Sequence, residues 1–337
     1  MDDTPTNGGH GGNHVDNRIH RTANAKINLS LHVTGRRNDG YHTLDSLVAF
    51  TGFGDTVDVS SSDEDTLAFT GTYGAALAED DGTSNNLVIR ARDWLRDQLS
   101  ADRACPPVAI TLQKNIPIAS GIGGGSADAA AVLHALAKQW KAMPNVLEDY
   151  PAIAAALGAD VPMCLMNRPL RAQGIGEALA PVPHMPLLPV VLANTGRPVS
   201  TPDVFKALSH ASGTPMPAMP PSFRSAQHAA DWLSGHTRND LQEAAMGLCP
   251  DIADTLAALS RSGAVFTRMS GSGATCFGLF ETVEDAQDAA TWLAAVETEW
   301  FVEATCLLPS PPLQDEDYPA WADWMKTARS LHSTSPS

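Results

Sequence analysis

Apolar and polar residues alternate along residues 25–33 (AKINLSLHV), the period-two pattern of a strand with one buried face. The Asp-Gly pair within residues 36–40 (RRNDG) marks a turn, and residues 43–50 and 55–60 read as two further strands. Residues 86–99 repeat apolar positions at helical spacing, with Asn85 or Asn86 placed to cap the start. Residues 108–114 (VAITLQK) predict a strand. The run 115–126 (NIPIASGIGGGS) holds too many glycines for regular structure, and 127–140 is an Ala- and Leu-rich helix. A short helix is predicted over 151–157, with Gly158 placed to end it, and an apolar strand over 187–193. Residues 185–221 are rich in proline and mark a domain joint with an irregular excursion. Beyond them, helices over 226–234, 240–248 and 251–262, strands over 265–270 and 275–280, and a helix over 283–299 make a compact α+β unit. Residues 315–337 read as a last helix with a frayed end.

Composition narrows the partners. A chain of 337 residues is long enough for two domains. Its formal net charge of -16 argues against nucleic acid or an anionic membrane as the main partner, because both need clustered Lys and Arg. Any bound phosphate must therefore be neutralised locally, by backbone N–H groups, a few cations and a metal ion. The five cysteines (Cys105, Cys164, Cys249, Cys276 and Cys306) are scattered and form no C-x-x-C pair. Neither a disulfide framework nor a zinc site is expected. Residues 1–17 are polar and glycine-rich without the apolar core of a signal peptide. No run approaches the ~18 apolar residues a membrane span needs. The expected location is the cytoplasm. The first residues read as a solvated tail, despite His10 and His14, with His20 soon after, rather than as a metal site.

The glycine run carries the most specific chemistry. Gly121, Gly123, Gly124 and Gly125 stand between a predicted strand and a predicted helix. Glycines let the backbone approach an anion closely, and the following helix start offers free N–H groups and a positive dipole end. Such a cradle needs no side-chain charge, and Ser126 could add a hydroxyl ligand to phosphate or Mg²⁺. No Gly-Lys-Ser/Thr follows, which excludes a Walker A loop. A dinucleotide fingerprint fits Gly121-x-Gly123, but Ser126 stands where the third Gly or Ala belongs. That alternative predicts an acidic residue roughly 20 positions on, where Glu148 stands.

Two charged residues carry open alternatives. Asp160, between Gly158 and Pro162, is either a general base or the N-cap of the next short helix. Lys26, inside an apolar strand pattern, faces either the wet side or inward, where it is costly unless paired. A Lys26–Asp160 pair would explain both. A second glycine-rich turn, residues 271–275 (GSGAT), and Tyr41-His42 after the Asp-Gly turn gain meaning only in combination.

Together the motifs resemble the GHMP kinase superfamily. The matching segments are 25–31 (AKINLSL), 35–44 (GRRNDGYHTL), 116–130 (IPIASGIGGGSADAA), 158–162 (GADVP), 173–177 (QGIGE), 239–241 (NDL) and 270–275 (SGSGAT), in the family's order over about residues 20–310. The resemblance implies a two-domain α+β GHMP kinase fold. Residues 19–184 would form a ribosomal protein S5 domain 2-like N-terminal domain that binds ATP, and residues 185–312 a ferredoxin-like C-terminal domain. Residues 1–18 would be a tail and 313–337 an extension.

AKINL, DGYHTL and GADVP in combination point to the branch that uses ATP and Mg²⁺ to phosphorylate the tertiary 2-hydroxyl of an erythritol carrying a cytidine diphosphate, on the non-mevalonate route to isoprenoid precursors. Carried over by position, Pro117, Ile118, Ala119, Ser120, Gly121, Ile122, Gly123, Gly124, Gly125, Ser126 and Ala127 would hold the ATP phosphates. Asp160 would be the base, Lys26 would polarise the hydroxyl, and Asn28 would sit beside the acceptor. Tyr41, His42 and Phe205 would clamp the cytidine, with two aromatic faces around the base and an imidazole at its edge. Gly271, Ser272 and Gly273 would contact substrate. No side-chain metal ligands are predicted, and quaternary state stays open between monomer and homodimer.

This chain departs from the family at Ala119-Ser120, where glycines are usual, and at Ala127-Asp128, where Ser-Asn is common. The Asp128 side chain is expected to face away from the phosphates or towards a metal ion. The rival functions are a GHMP kinase for mevalonate-type, homoserine or sugar substrates, a nicotinamide-dependent dehydrogenase, and a non-catalytic ATP-binding regulator.

Overall fold

A computed structural model describes residues 18–79, 86–99, 103–209 and 213–310. The N-terminal half contains β1 (Ile19–Arg36), β2 (His42–Ser61), β3 (Thr66–Thr70), α1 (Gly74–Glu79), α2 (Leu87–Leu99), β4 (Val108–Gln113), α3 (Gly124–Gln139), α4 (Tyr150–Leu157), α5 (Asp160–Met166), β5 (Leu170–Gly174) and β6 (Ala178–Pro181). The C-terminal half contains β7 (Leu188–Asn194), α6 (Thr201–Ala207), α7 (Ala226–His236), α8 (Gln242–Leu248), α9 (Asp251–Arg261), β8 (Phe266–Met269), β9 (Cys276–Leu279), α10 (Val283–Val296) and β10 (Phe301–Leu307).

The long β1–β2 hairpin organises the first half. β2 pairs antiparallel with β1 throughout, with β4 along its second half and with β5 along its first. β3 adds in parallel to β4, and β6 adds to β5. The strands expected at 43–50 and 55–60 are therefore one. Pairing steps from Asn24↔Gly54 to Lys26↔Phe50, so residues 51–53 form a bulge that breaks the apolar pattern without ending the strand. Val48, Phe50 and Val57 of β2 meet Ala129, Leu133 and Leu136 of α3 in one core.

In the second half the sheet order is β10-β7-β9-β8, all antiparallel. Every residue of β7 is buried, because both of its faces are covered. Val191 and Ala193 pack with α9 and α10 through Leu259 and Leu293. Val190 and Leu192 pack with Ala25, Ile27 and Leu29 of β1 and with Trp232 and Leu233 of α7. This second cluster cements the two halves, and Leu307 of β10 pairs with Thr51 of β2 to join their sheets.

Several boundaries differ from expectation. The glycine-rich loop ends earlier, because Gly124, Gly125 and Ser126 already belong to α3. The helix expected over 283–299 stops at Val296. Elements β3, β5, β6, β10, α1 and α6 were not anticipated. The dinucleotide alternative loses its scaffold: β3–β4 is the one parallel strand pair among the described strands, whereas that fold needs a mostly parallel sheet. His10, His14, Asn85 and the helix expected over 315–337 lie outside the described residues. His20 is exposed, 3.1 Å from the Asp58 carboxylate. Among the described residues, no helix is long and apolar enough to cross a membrane.

Candidate active site

Gly123 takes a left-handed conformation (φ 70°, ψ 21°) at the N-cap of α3, and no side chain caps that helix. The N–H groups of Gly124, Gly125 and Ser126 thus have no intrahelical partner. They open onto a cavity of about 380 Å³ whose walls include Pro117, Ile118, Ala119, Ser120 and Gly121 together with Leu77, Asn86, Leu87 and Lys114. Asn86 caps α2, its side chain accepting from the Val88 N–H at 2.9 Å.

Beneath the loop lies a buried charge cluster that sequence reasoning missed. The Lys114 ammonium donates to Asp55 and, at 3.0 Å, to Asp128 Oδ2. Asp55 also accepts the Asn115 and Ile116 N–H groups at 2.6 and 2.8 Å. Lys114 is shared, so Asp128 is only half compensated. Burial pushes its carboxyl up to about 8, with Lys114 opposing. Asp128 thus turns to Lys114, yet its buried Oδ1 has no hydrogen-bond partner and Asp128 lines the cavity.

The GSGAT turn packs directly on the glycine loop. Thr275 donates to the Ser120 carbonyl through its N–H (3.2 Å) and its hydroxyl (2.7 Å). Gly121 has φ 79°, and a Cβ there would lie 2.1 Å from the Gly273 carbonyl oxygen. Only glycine permits this approach.

On the other side of Gly121 and Gly123 lies a second cleft, of about 200 Å³, which those two glycines also line. It holds Lys26, Asn28, Asp160 and Phe205, with Gly271 and Ser272. The Lys26 ammonium donates to Asp160 Oδ2 at 2.7 Å. Lys26 is 6% exposed and so faces inward, whereas the Asp160 side chain is 42% exposed to the cleft. Burial by itself would lower the Lys26 pKa. The Asp160 charge and hydrogen bond outweigh it, so the ammonium is held above its usual value.

Asp160 is the first residue of α5, after Ala159 at the N-cap. It is not the cap, and its charge suits the helix dipole. The Lys26 N–H donates to the Ile122 carbonyl at 2.9 Å, which stitches β1 to the loop. Asn28 Nδ2 donates to Ser46 Oγ at 2.8 Å, while its buried Oδ1 has no hydrogen-bond partner.

The expected clamp is arranged differently. The His42 ring stacks face to face on Phe205, centroids 4.9 Å apart and planes 18° apart, rather than standing at the edge of an open slot. Tyr41 is 64% exposed and is not among the residues lining the cleft. The Asp-Gly turn leaves Tyr41 pointing outward, and the apolar surface of His42 finds Phe205 as its nearest flat partner. Thr201, at the start of α6, shares a hydrogen bond with Ser272 at 2.7 Å. It ties the helix carrying Phe205 to the GSGAT turn, a role no sequence signal indicated.

Known proteins resemble this chain over most of its length. The profile for the GHMP kinases N terminal domain matches residues 86–168, and that for the GHMP kinases C terminal domain matches 222–297. A protein of Mesorhizobium japonicum named 4-diphosphocytidyl-2-C-methyl-D-erythritol kinase is 52% identical over 285 residues, 84% of this chain and 94% of that protein. One of the same name from Paracoccus denitrificans is 48% identical over 294 residues, covering 87% and 98%. A solved 4-(cytidine 5'-diphospho)-2C-methyl-D-erythritol kinase superposes with a TM-score of 0.68 at 33% identity, over 86% of this chain and 99% of that one. A mevalonate kinase from L. major, solved with R-mevalonate, shares the fold alone, with a TM-score of 0.58 at 13% identity over 87% and 97% of the two chains.

Proposed function

The chain belongs to the GHMP kinase family, and we propose that it transfers the ATP γ-phosphoryl group to the 2-hydroxyl of 4-diphosphocytidyl-2-C-methyl-D-erythritol, giving the 2-phosphate and ADP. One observation carries the reading. Two cavities share Gly121 and Gly123, the unpaired amides of α3 open into one, and the Lys26–Asp160 pair stands in the other. A triphosphate on the amides would aim its terminal phosphorus across the glycines at a hydroxyl beside Asp160.

In this account the uncapped N–H groups of residues 124–126 and the α3 dipole hold the phosphates. As the acceptor oxygen bonds to the γ-phosphorus and the β–γ bridging bond breaks, its electrons leave with ADP and Asp160 takes the hydroxyl proton. Lys26 orients Asp160 and offsets the negative charge gathering on the acceptor side. Asn28, with an unpaired amide oxygen in the cleft wall, accepts from a sugar hydroxyl.

Among the described residues no three His, Cys, Asp or Glu side chains are grouped to hold a metal. Magnesium keeps much of its water and binds through phosphates plus one or two protein oxygens. Ser126 and the unpartnered Oδ1 of Asp128 fit that part. When bound, the ion neutralises charge between phosphates. ATP supply makes the cytoplasm the natural location.

The Lys26–Asp160 pair weighs against a non-catalytic nucleotide binder, which has no use for it. The His42–Phe205 pair and the identity to the named relatives favour a cytidine-bearing substrate over mevalonate, homoserine or a sugar. The test is incubation with ATP, Mg²⁺ and each acceptor in turn. ADP release that depends on the cytidine compound is expected, and equal release with homoserine or mevalonate would overturn the assignment.

A further inference from the structure

Strand β1 changes the parity of its side chains in mid-course. Asn28 pairs with Val48 and Ser30 with Leu47, so Leu29 is an extra residue opposite no partner. In an unbroken strand Lys26 and Asn28 would face one side and Leu31 the other. All three line the acceptor cleft, because the bulge at Leu29 shifts the alternation by one.

An extra residue leaves a carbonyl without a ladder partner, and a buried carbonyl needs a donor. Arg268 Nη1 supplies it, donating to the Leu29 carbonyl at 2.8 Å. Arg268 is itself buried at the end of β8. It also donates to Thr237 Oγ1 (2.7 Å), the Thr237 carbonyl (3.0 Å) and the Leu233 carbonyl (3.3 Å), with its guanidinium over the Phe266 ring at 4.6 Å. Among the described residues no carboxylate pairs with it, and burial brings its pKa down to about 10. A buried cation without a counter-charge is costly, so a purely structural link would be better served by a neutral donor.

Neighbouring contacts act on the same stretch. Ser270 Oγ accepts from the Asn28 N–H at 3.0 Å. Leu31 exchanges backbone hydrogen bonds with Arg238 and Asp240, each 2.9 Å. Asp240 Oδ2 accepts from the Val33 N–H at 2.7 Å. Three residues past Arg268 begins the turn that packs on Gly121.

We infer that Arg268 is a positioning residue: its grip on the Leu29 carbonyl fixes the β1 bulge and so aligns Lys26 and Asn28, on the acceptor side, with the glycine loop that holds the donor. The inference rests on the kinase reading of the two cavities. A displacement near 1 Å at a reacting centre can cost about 10²-fold in rate.

Arg268→Met and Arg268→Lys test it. Arg268→Met is expected to lower kcat about 100-fold per folded molecule, and Arg268→Lys, which keeps the charge on one donating nitrogen in place of three, about 10-fold. The Kd for ATP should stay within about twofold in both. Amide hydrogen exchange should speed up over residues 26–33 and leave α3 unchanged. If Arg268→Met does not fold, Arg268→Lys decides. Unchanged exchange over 26–33, kcat within about twofold of wild type, or ATP affinity falling in parallel with kcat would each overturn the inference. A wild-type protein silent with every acceptor condemns the kinase reading instead, while the exchange measurement still judges Arg268.

Discussion

Replacing Asp160 by Asn removes one charge and one proton acceptor while leaving shape almost unchanged. The amide oxygen can still accept from the Lys26 ammonium, now 2.7 Å from Oδ2, so the lysine stays in place and the loss is that of the base. A positioned general base contributes about 10²–10⁴-fold, which at about 1.36 kcal/mol per decade is roughly 3–5 kcal/mol of barrier. Nucleotide affinity should be unaffected, since Asp160 lines the acceptor cleft and the loop amides open into the other cavity.

A second signature follows from Lys26. In the wild type its pKa is raised, so the stability it contributes is fully present below its usual 10.5 and is lost only as pH rises through the higher folded value. Without Asp160, burial dominates and its folded pKa drops below 10.5. The stability penalty of the variant is then greatest near neutrality and shrinks as pH rises towards 10.5. Steady-state ADP release gives kcat and KM, and urea unfolding at pH 7 and pH 10 gives the penalty. A kcat within about threefold of wild type, or a penalty independent of pH, would refute the reasoning.

Gly121→Ala would set a Cβ 2.1 Å from the Gly273 carbonyl at a φ of 79°. The loop and the GSGAT turn must then part, with kcat falling at least 100-fold and ATP Kd rising at least tenfold, read by turnover and calorimetry. Phe205→Ala removes half of the His42 stack. The KM for the cytidine substrate should rise about tenfold, since such pairs are worth up to about 1.5 kcal/mol, while the KM for ATP holds and Tyr41→Ala does less.

Asp45→Asn breaks a buried pair. Burial alone would raise the Asp45 pKa, but the Arg171 hydrogen bond and charge hold it below 3.8. The stability this gives is present above pH 3.8 and is lost as pH falls through the folded value. The variant should lose about 3 kcal/mol at pH 7, and urea unfolding should show that loss shrinking as pH falls below 3.8.

Local chemistry was legible in the sequence where one short segment carries it. The glycine run, the Asp-Gly turn and the Ala-rich helix each announce themselves, and Asn86 does cap α2. What escaped depends on long-range placement. Lys114 looked like the polar end of a strand, and only folding brings Asp55 and Asp128 to it. Thr201 acquires its role from Ser272, 71 positions away. β5 and β10 were missed because LRAQG and FVEATCL do not alternate cleanly: β10 is covered on both faces, and β5 is short and edged by polar residues. The bulges of β1 cannot be read from β1 alone, since the partner strand sets the register. Lys26 and Asp160 could be suspected of pairing, but which of them is buried follows only from where α5 packs, against α3 and α4.

The most direct test is a crystal structure with an unreactive ATP analogue and the cytidine-bearing acceptor bound together. The account predicts β- and γ-phosphate oxygens at about 2.7–3.2 Å from the amide nitrogens of residues 124–126, and the acceptor hydroxyl at hydrogen-bond distance from the Asp160 carboxylate. Phosphates held elsewhere than on the α3 amides, or the hydroxyl turned away from Asp160 with Lys26 idle, would contradict it.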